Sequence, residues 1–211
     1  MGKELYIIRH GETDLNKQGI VQGRGINSDL NDTGRAQAEA FFQLYKDLPF
    51  DKVYTSTLKR THQTVNKFIE SGLPWEQLSG LDELAWGEWE GKPSSEQALA
   101  VFRELVEQWQ SGDYDAKFEG GESPAEVAVR LTEAVNHIKS HKKEQLVLVC
   151  MHGRAMRLLL CLLSGKPMSD MGEFPHQNTT LYRVSLKDDI FTITDFNNTD
   201  HLKELNNLGQ D

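Results

Sequence analysis

A short apolar run near the start of the chain ends abruptly in a charged turn, and this turn constrains the fold more than any other stretch. Residues 5–8 read Leu-Tyr-Ile-Ile, and Arg9, His10 and Gly11 follow them directly. Such a run is typical of a buried strand. Because α/β proteins bind ligands just beyond the carboxyl ends of their strands, Arg9 and His10 stand where chemistry would be placed. A strand that simply leaves the core through polar residues fits these three residues equally well.

The same design occurs a second time, late in the chain. Residues 145–151 form the clearest buried-strand pattern in the sequence, and His152 and Gly153 follow it. Two strands that each end in a His-Gly pair are difficult to explain by packing alone. If both strands belong to one parallel sheet, their carboxyl ends can lie side by side, so we expect His10 and His152 to come together.

Strand and helix patterns alternate along most of the chain. This alternation indicates an α/β fold in three layers, with a mostly parallel sheet flanked by helices. No repeat or linker interrupts it, so we predict a single domain over residues 1–211, in which 84–121 is a lid or insert. The other predicted strands are 51–56, 78–84, 180–185 and 190–196, the last two as a hairpin, and the main predicted helices are 33–47, 58–70, 94–111 and 123–141.

The charge balance and the cysteines limit the partners and the compartment of the protein. There are 23 lysines and arginines against 32 aspartates and glutamates, so the formal net charge is −9. This balance disfavours nucleic acid and anionic membranes as partners, because both require a basic face. We find no apolar run long enough for a membrane span and no signal-peptide pattern. The two cysteines lie in apolar surroundings and indicate reduced thiols, so we expect a cytoplasmic protein.

Basic residues occupy the start of a predicted helix, where they are unfavourable. The helix 58–70 carries Lys59 and Arg60 in its first turn, although the helix dipole favours acidic residues there. A bound anion would resolve the conflict, because the free N–H groups and a cation would then converge on it. Solvated surface side chains are the alternative. Either Ser56 or Thr57 is expected to cap this helix.

The loop over residues 11–32 is rich in Gly, Asn and Asp and has no clear periodicity. A loop of this length in a compact domain is more often functional than idle. Asn16 and Gln22 have side chains suited to holding phosphate oxygens or a substrate hydroxyl. Ordinary turn chemistry is the alternative for both.

Six blocks of the sequence together resemble the histidine phosphatase superfamily, the phosphoglycerate mutase-like enzymes. They extend over nearly the whole chain, and the first one reads Arg-His-Gly-Glu-Thr. The blocks are residues 9–13 with Asn16; Ser56, Arg60 and Thr64; residues 81–84 with Gly87 and 89–91; residues 120–123; His152 and Gly153; and residues 178–180. The resemblance implies a phosphoglycerate mutase-like fold.

The resemblance also implies a role for each matching position. His10 would be the nucleophile that accepts the phosphoryl group. Arg9, Arg60 and His152 would form the phosphate pocket, with Asn16 as a further contributor. The family's chemistry uses no metal ion, and we expect no other cofactor.

The proton donor and one backbone contact follow from the same resemblance. Glu83 would be the acid, and Gly153 would offer its N–H to the phosphate. The residues alone do not choose among the carboxylates of this segment, which are Asp82, Glu83, Glu88 and Glu90.

Phosphatases and mutases of the family share the phosphohistidine step and differ in what accepts the phosphoryl group. Mutases tend to carry an added segment with an Arg-His-Tyr-Gly-like sequence, where this chain has Leu-Ala-Trp-Gly at residues 84–87. We therefore expect a phosphatase that acts on a small phosphomonoester, as a monomer or homodimer. A phosphoglycerate mutase and a non-catalytic protein that binds phosphate ligands are the alternatives.

Two positions depart from the family pattern. Asn27 stands where an aspartate is common, and Arg154 stands where a small residue is frequent. An arginine facing the pocket would suit a second anionic group on the substrate. We expect Arg154 to point to solvent instead.

A cysteine-based phosphatase is a different enzyme class that the sequence also allows us to consider. Such an enzyme has a cysteine, five residues and then an arginine between a strand and a helix. Cys150 lies between a strand and a helix, but Met156 occupies the arginine position. We therefore reject this mechanism.

Overall fold

A six-stranded sheet forms the centre of the described structure. The computed structural model of the chain describes residues 2–93, 95–203 and 205. The strands are β1 (Lys3–Arg9), β2 (Lys52–Thr55), β3 (Trp75–Gln77), β4 (Leu146–Met151), β5 (Leu181–Lys187) and β6 (Ile190–Asn198). Their order across the sheet is β3-β2-β4-β1-β5-β6. The first four in this order run parallel, and β5 and β6 form the antiparallel hairpin that the sequence predicted.

Helices cover both faces of this sheet. They are α1 (Asp14–Lys17), α2 (Asp32–Tyr45), α3 (Lys59–Glu70), α4 (Glu96–Gln110), α5 (Pro124–Ser140) and α6 (Gly153–Ser164). Alternate side chains of a strand point to opposite faces, so Ile7 packs in one core with α5 and α6 while Ile8 packs in another with α2 and α3. The predicted three-layer α/β arrangement is confirmed. In the part of the chain described, no helix has the length and apolar character needed to cross a membrane.

The prediction of a strand over residues 78–84 is wrong. The third strand lies earlier, at Trp75–Gln77, and Ser79–Leu81 form a short 3₁₀ turn. The guanidinium of Arg130 on α5 donates to three backbone carbonyl oxygens of residues 80–83, at 2.8 to 3.1 Å. A side chain therefore supplies the hydrogen bonds that a neighbouring strand would have supplied, and the apolar residues of this segment reach the core without a ladder.

The start of α3 also differs from its prediction. Leu58 is the N-cap residue and makes no side-chain hydrogen bond as a cap. Asn27 Oδ1 from the preceding loop accepts a hydrogen bond from the backbone N–H of Lys59 at 2.8 Å. Ser56, one of the two expected caps, instead accepts from the N–H of Leu58 and contacts the candidate site described below. Asn27, a departure from the family pattern, thus holds the N-terminus of α3.

The other predicted elements agree with the structure to within two residues at each end. Ser94, the predicted first residue of one helix, lies outside the described residues, and α4 begins at Glu96. The N-terminus of α5 carries a capping box in which Ser123 and Glu126 bond reciprocally. This is the arrangement that Ser-Pro-Ala-Glu indicates in the sequence.

Two glycines let α2 pack directly against the turn that follows β1. A Cβ on Gly11 would lie 2.6 Å from the carbonyl oxygen of Gly34, and a Cβ on Gly34 would lie 2.1 Å from the carbonyl oxygen of Glu12. Both distances are shorter than van der Waals contact allows, and both neighbours are backbone atoms. The turn that carries His10 is therefore fixed against α2 by backbone packing.

Replacing Gly34 by alanine should destabilise the fold. The added methyl group must displace backbone, and overpacking of this kind costs about 1–3 kcal/mol. Urea unfolding followed by circular dichroism measures the change in the free energy of unfolding. Gly172→Ala is the matched control, because a Cβ there meets nothing within 4 Å, and we expect a change of at most about 0.5 kcal/mol. Equal stability of both variants would contradict the packing described here.

Candidate active site

The two His-Gly pairs meet at one edge of the sheet, as the sequence predicted. In the parallel pairing of β1 with β4, Arg9 lies opposite Met151, so the next residues are His10 and His152. The backbone N–H of His10 donates to the carbonyl oxygen of Met151 at 3.0 Å. The two imidazole rings lie 5.1 Å apart between centroids and are tilted by 59°. Their side chains are almost fully buried.

The ring of His10 is held with one nitrogen free to attack. Its Nδ1 lies 2.7 Å from the carbonyl oxygen of Gly11, and a carbonyl only accepts, so Nδ1 carries the proton and donates it. Nε2 is then the unprotonated nitrogen. Burial, and after it the charges of Arg60 and Arg9, lower the pKa of His10 well below 6.5. The imidazole is therefore neutral near neutral pH, which is the form that a nucleophile requires.

A relay of hydroxyl groups fixes the ring of His152. Its Nε2 lies 2.7 Å from Ser56 Oγ, which lies 3.0 Å from Thr61 Oγ1. The Thr61 hydroxyl donates to the Leu58 carbonyl oxygen at 2.8 Å, so Ser56 donates to Thr61 and accepts the proton of His152 Nε2. His152 Nδ1 is buried and has no hydrogen-bond partner in the residues described. That nitrogen is available to take up a proton and bind an anion.

Two arginines beside these rings have guanidinium groups that form no ion pair with a carboxylate in the described part of the chain. Arg60 is fully buried and donates to the carbonyl oxygens of Ile26 at 2.6 Å and Gly23 at 3.2 Å. Arg9 contacts His176 Nδ1 through Nη1 at 3.2 Å. Within the described ranges, the Nε atoms of both arginines are buried and unpaired. Burial lowers the pKa of each to about 10, which leaves both charged at neutral pH and makes an anion favourable here.

Of the four carboxylates that the sequence left open, Glu83 is the one whose position best suits a catalytic role. It is 7% exposed, and its charge acts on both Arg9 and Arg60. Glu83 Oε1 accepts from the backbone N–H groups of Leu84 and Ala155, each at 2.9 Å, and Oε2 accepts from that of Arg154 at 3.1 Å. The carboxylate is thus fixed at the N-terminus of α6, directly after His152.

The other three carboxylates are engaged elsewhere. Asp82 accepts from the N–H and the hydroxyl of Thr57, each at 2.8 Å through Oδ1. Glu90 accepts from the backbone N–H of Trp86 at 2.9 Å. The side chain of Glu88 is 56% exposed and lies near Lys92. These contacts favour Glu83 as the residue that shares the site with the two histidines.

Comparison with known proteins identifies the family. A model of the histidine phosphatase superfamily (branch 1) matches residues 5–199. This chain belongs to the histidine phosphatase superfamily. It is 28% identical over 202 residues to phosphoserine phosphatase 1 of Hydrogenobacter thermophilus, which covers 95% of each chain. It is 30% identical over 173 residues to the 2,3-bisphosphoglycerate-dependent phosphoglycerate mutase of Bartonella tribocorum, covering 78% of this chain and 83% of that protein.

A solved structure has the same fold. Bacillus stearothermophilus YhfR superposes with a TM-score of 0.82 at 25% identity, over 95% of this chain and 100% of that chain. The phosphoglycerate mutase-like fold that the sequence resemblance implied is thereby confirmed.

Asn16 and Gln22 both contact the backbone or side chains around the turn after β1. Asn16 Oδ1 accepts from the N–H of Thr13 and from Asn178 Nδ2, each at 3.2 Å, and Asn178 Nδ2 also lies 3.1 Å from the carbonyl oxygen of His10. Gln22 Nε2 donates to Thr13 Oγ1 at 2.7 Å. Asn16 is thus linked to the backbone of His10 through the side chain of Asn178. The amide of Gln22, by contrast, forms its hydrogen bonds within its own loop.

His176 is a residue near the site that the sequence did not single out. Its ring packs so closely on Gly153 that a Cβ at position 153 would lie 2.6 Å from it. Burial, followed by the charges of Arg9, Arg157 and Arg154, lowers its pKa to about 3, so a neutral ring accepts from Arg9 through Nδ1. It follows no apolar strand, which is why the pattern that found His10 and His152 did not find it.

The expectation that Arg154 points to solvent is wrong. Its guanidinium carbon lies 5.6 to 5.7 Å from the ring centroids of Trp86, Phe102 and Trp109. Cation–π attraction to three aromatic rings holds the side chain under α4. The aromatic residues come from two segments distant in sequence from Arg154, so no local pattern could have shown this contact.

Cys150 does not have the environment of a catalytic thiol. It is a free, fully buried cysteine on β4, and burial raises its pKa far above the ordinary range for a thiol. A reactive cysteine needs a stabilised thiolate and access to its substrate. The structure therefore agrees with the rejection of a cysteine-based phosphatase.

The histidine pair should stay neutral far below the ordinary imidazole pKa of 6.5. Burial and the neighbouring arginines disfavour the cation, so the proton is taken up only at a pH well below that value. NMR titration of labelled histidine from about pH 8 to about pH 5.5 checks this, because neutral imidazoles keep their shifts across that range. Variants His10→Ala and His152→Ala assign the two signals.

Inorganic phosphate provides the matched condition for the same titration. A bound dianion favours the imidazolium form of His152, so its midpoint should move upward when the protein is saturated with phosphate. A midpoint near 6.5 for either ring in the free protein would contradict the site electrostatics described here.

Proposed function

We propose that this protein is a phosphomonoesterase that hydrolyses a small phosphorylated metabolite through a phosphohistidine intermediate on His10. The observation that carries the proposal is the free Nε2 of a neutral, buried imidazole beside a second imidazole and two guanidinium groups whose buried Nε atoms have no partner in the described residues. Phosphoryl transfer to a side chain requires a nucleophile and several cations placed around one phosphate. These groups supply both.

The phosphate group binds first. Arg9 and Arg60 donate to its oxygens through the Nε–H groups that have no partner among the described residues. His152 takes up a proton at Nδ1 and donates a further hydrogen bond, while Gly153 offers its backbone N–H at the start of α6. These donors neutralise charge on the equatorial oxygens, which is where charge spreads in the transition state.

His10 then attacks the phosphorus atom. A bond forms between Nε2 and phosphorus as the bond from phosphorus to the ester oxygen breaks. Glu83 gives its proton to that oxygen, so the product alcohol leaves neutral. The hydrogen bond from Nδ1 to the Gly11 carbonyl oxygen stabilises the positive charge that develops on the ring.

Water completes the reaction. Glu83, now a carboxylate, removes a proton from a water molecule that attacks the phosphorus atom of the intermediate. The bond from phosphorus to Nε2 breaks, inorganic phosphate leaves, and His10 returns to its neutral form. Asn178 and Asn16 support this cycle by holding the backbone of His10 in place.

A phosphatase is favoured over a mutase by the segment after Glu83. Residues 84–91 contain no lysine, arginine or histidine, whereas the family's mutases tend to carry an Arg-His-Tyr-Gly-like sequence there. Phosphoserine phosphatase 1 of Hydrogenobacter thermophilus matches over 95% of this chain. A mutase is the second candidate, because the relative from Bartonella tribocorum bears that name.

We also propose that the region 84–121 acts as a lid over the substrate. Its two ends are joined, because Trp86 and Gly121 form a β-bridge and the N–H of Glu88 donates to the carbonyl oxygen of Glu119. The segment between them includes α4, which packs on Arg154 beside Glu83.

The two free cysteines support a reducing, cytoplasmic location.

Hydrolysis of p-nitrophenyl phosphate in excess EDTA tests the proposed function. The wild type should release phosphate, and His10→Ala should lose at least about 1,000-fold in kcat/KM, because no other group replaces the nucleophile. The variant His137→Ala is the control and should keep wild-type activity, because the half-buried His137 contacts Glu76 rather than a residue of the site. Loss of wild-type activity in EDTA, or full activity of His10→Ala, would contradict the proposal.

The same protein distinguishes a phosphatase from a mutase. Incubation with 3-phosphoglycerate and a small amount of 2,3-bisphosphoglycerate should release phosphate without forming 2-phosphoglycerate. Interconversion of the two phosphoglycerates without phosphate release would establish the mutase instead.

A further inference from the structure

A cavity lined by residues outside the proposed phosphate site lies between α4, α6 and the 3₁₀ turn Met168–Glu173. Its volume is about 370 Å³, and its lining includes Trp109, Arg154, Arg157 and Met171. Arg103 and Glu107 on α4 also line it, and their opposite charges offset each other. Arg154 and Arg157 therefore leave this cavity with an excess of positive charge. None of the roles assigned above uses it.

Aromatic rings hold the guanidinium of Arg154 in place, but most of its N–H groups have no strong hydrogen-bond acceptor among the described residues. The rings of Trp86, Phe102 and Trp109 surround it at 5.6 to 5.7 Å. A guanidinium that contacts aromatic faces keeps the N–H groups in its own plane available. In the described part of the chain, its only side-chain hydrogen bond is from Nη1 to Met171 Sδ at 3.4 Å, and a thioether is a weak acceptor. The other donors remain open to an anion.

Arg9, Arg154 and Arg157 form a cluster of cations without an ion pair in the described ranges. Each gives its side-chain hydrogen bond to a neutral acceptor: His176 for Arg9, the Met171 thioether for Arg154 and the Phe174 carbonyl oxygen for Arg157. All three charges act on His176 and help to lower its pKa. In a protein with a net charge of −9, this many unpaired arginines in one place point to an anionic ligand.

The cluster lies on the side where the alcohol part of the substrate must leave. In the proposed reaction Glu83 protonates the ester oxygen, so its carboxylate marks that side. Glu83 Oε2 accepts from the backbone N–H of Arg154 at 3.1 Å. Burial lowers the pKa of both Arg154 and Arg157, and the nearby charge of Glu83 opposes that lowering. A group on the alcohol part of the substrate would therefore meet these two arginines.

We infer that Arg154, with Arg157, forms a subsite for a second anionic group, so that the substrate is a phosphomonoester whose alcohol part carries a carboxylate or a second phosphate. This inference rests on the proposed function. It names the class of substrate and the residue that selects it. A carboxylate and a phosphate both suit the forked donors of arginine.

Matched substrate pairs test the subsite. O-phosphoserine and O-phosphoethanolamine differ by a carboxylate, as do 3-phosphoglycerate and glycerol 3-phosphate, whereas fructose 1,6-bisphosphate and fructose 6-phosphate differ by a phosphate. The ratio of kcat/KM within each pair measures recognition of the second anion. Wild type should favour the anionic member of at least one pair by roughly 10- to 100-fold, as expected for one or two charge-assisted hydrogen bonds. Which pairs respond tells carboxylate from phosphate.

Arg154→Met is the informative variant. Methionine has a similar length and packs well against aromatic rings, so it should keep the cage filled while removing the charge. We expect the ratio in the responding pair to fall to about one, with a loss for the anionic member that exceeds the loss for its partner. Arg35→Met is the control, because Arg35 is an exposed arginine beside Asp32, and its ratios should equal those of wild type.

The outcomes separate this inference from the proposed function. If wild type hydrolyses p-nitrophenyl phosphate but shows no preference in any pair, or if Arg154→Met leaves the preference intact, the subsite is overturned and the phosphatase stands. Equal losses for both members of a pair would show a structural role for Arg154 and overturn the subsite as well. If wild type hydrolyses no monoester, the proposed function fails, and calorimetric binding of the same pairs decides the subsite by the same criteria.

Discussion

The positive charge of Arg9 and Arg60, which no carboxylate of the described residues pairs with directly, is the constraint on which the rest of the site depends. Arg60 is fully buried and Arg9 is partly buried, and each has a buried N–H without a partner in the described residues. The free protein bears this unfavourable energy, and in the proposed mechanism a bound phosphate removes it. Burial, and after it these same charges, lowers the pKa of His10 and His152 and keeps both rings unprotonated in the free protein. One electrostatic arrangement therefore favours both a bound anion and a neutral His10.

The backbone around His10 is held tightly enough to keep this arrangement. Thr179 has a φ of 59°, an unfavourable left-handed conformation for a β-branched residue. Its N–H is shared between the carbonyl oxygens of Arg9 at 3.1 Å and His10 at 3.3 Å, and its hydroxyl lies 3.0 Å from Nε2 of the buried His201. Strain of this kind persists only where surrounding contacts impose it. Here those contacts connect the end of β1 to the segment before β5.

What the sequence could predict depended on local patterns. Each of two apolar runs ends in a His-Gly pair, and a parallel sheet brings such ends together, so the meeting of His10 and His152 was predictable. The strand expected at 78–84 was not there, because the hydrogen bonds of that segment come from Arg130, a side chain about 50 residues away.

The contacts of Arg154 and His176 were missed for a related reason. The partners of Arg154 come from two segments far from it in the chain, and His176 lies in an irregular segment without periodicity. Patterns within one element carry no information about such contacts. Periodicity therefore located His10 and His152, but not His176 or the aromatic partners of Arg154.

The central claim is that His10 carries the phosphoryl group during turnover. Rapid acid-free quenching of the protein with a monoester substrate, followed by peptide mass spectrometry, tests it most directly. A phosphoryl group on His10 that is stable in base and labile in acid, appears within one turnover and is lost as phosphate is released is the expected result. Steady hydrolysis with no phosphorylated His10 at any time, or phosphorylation of another residue, would contradict it.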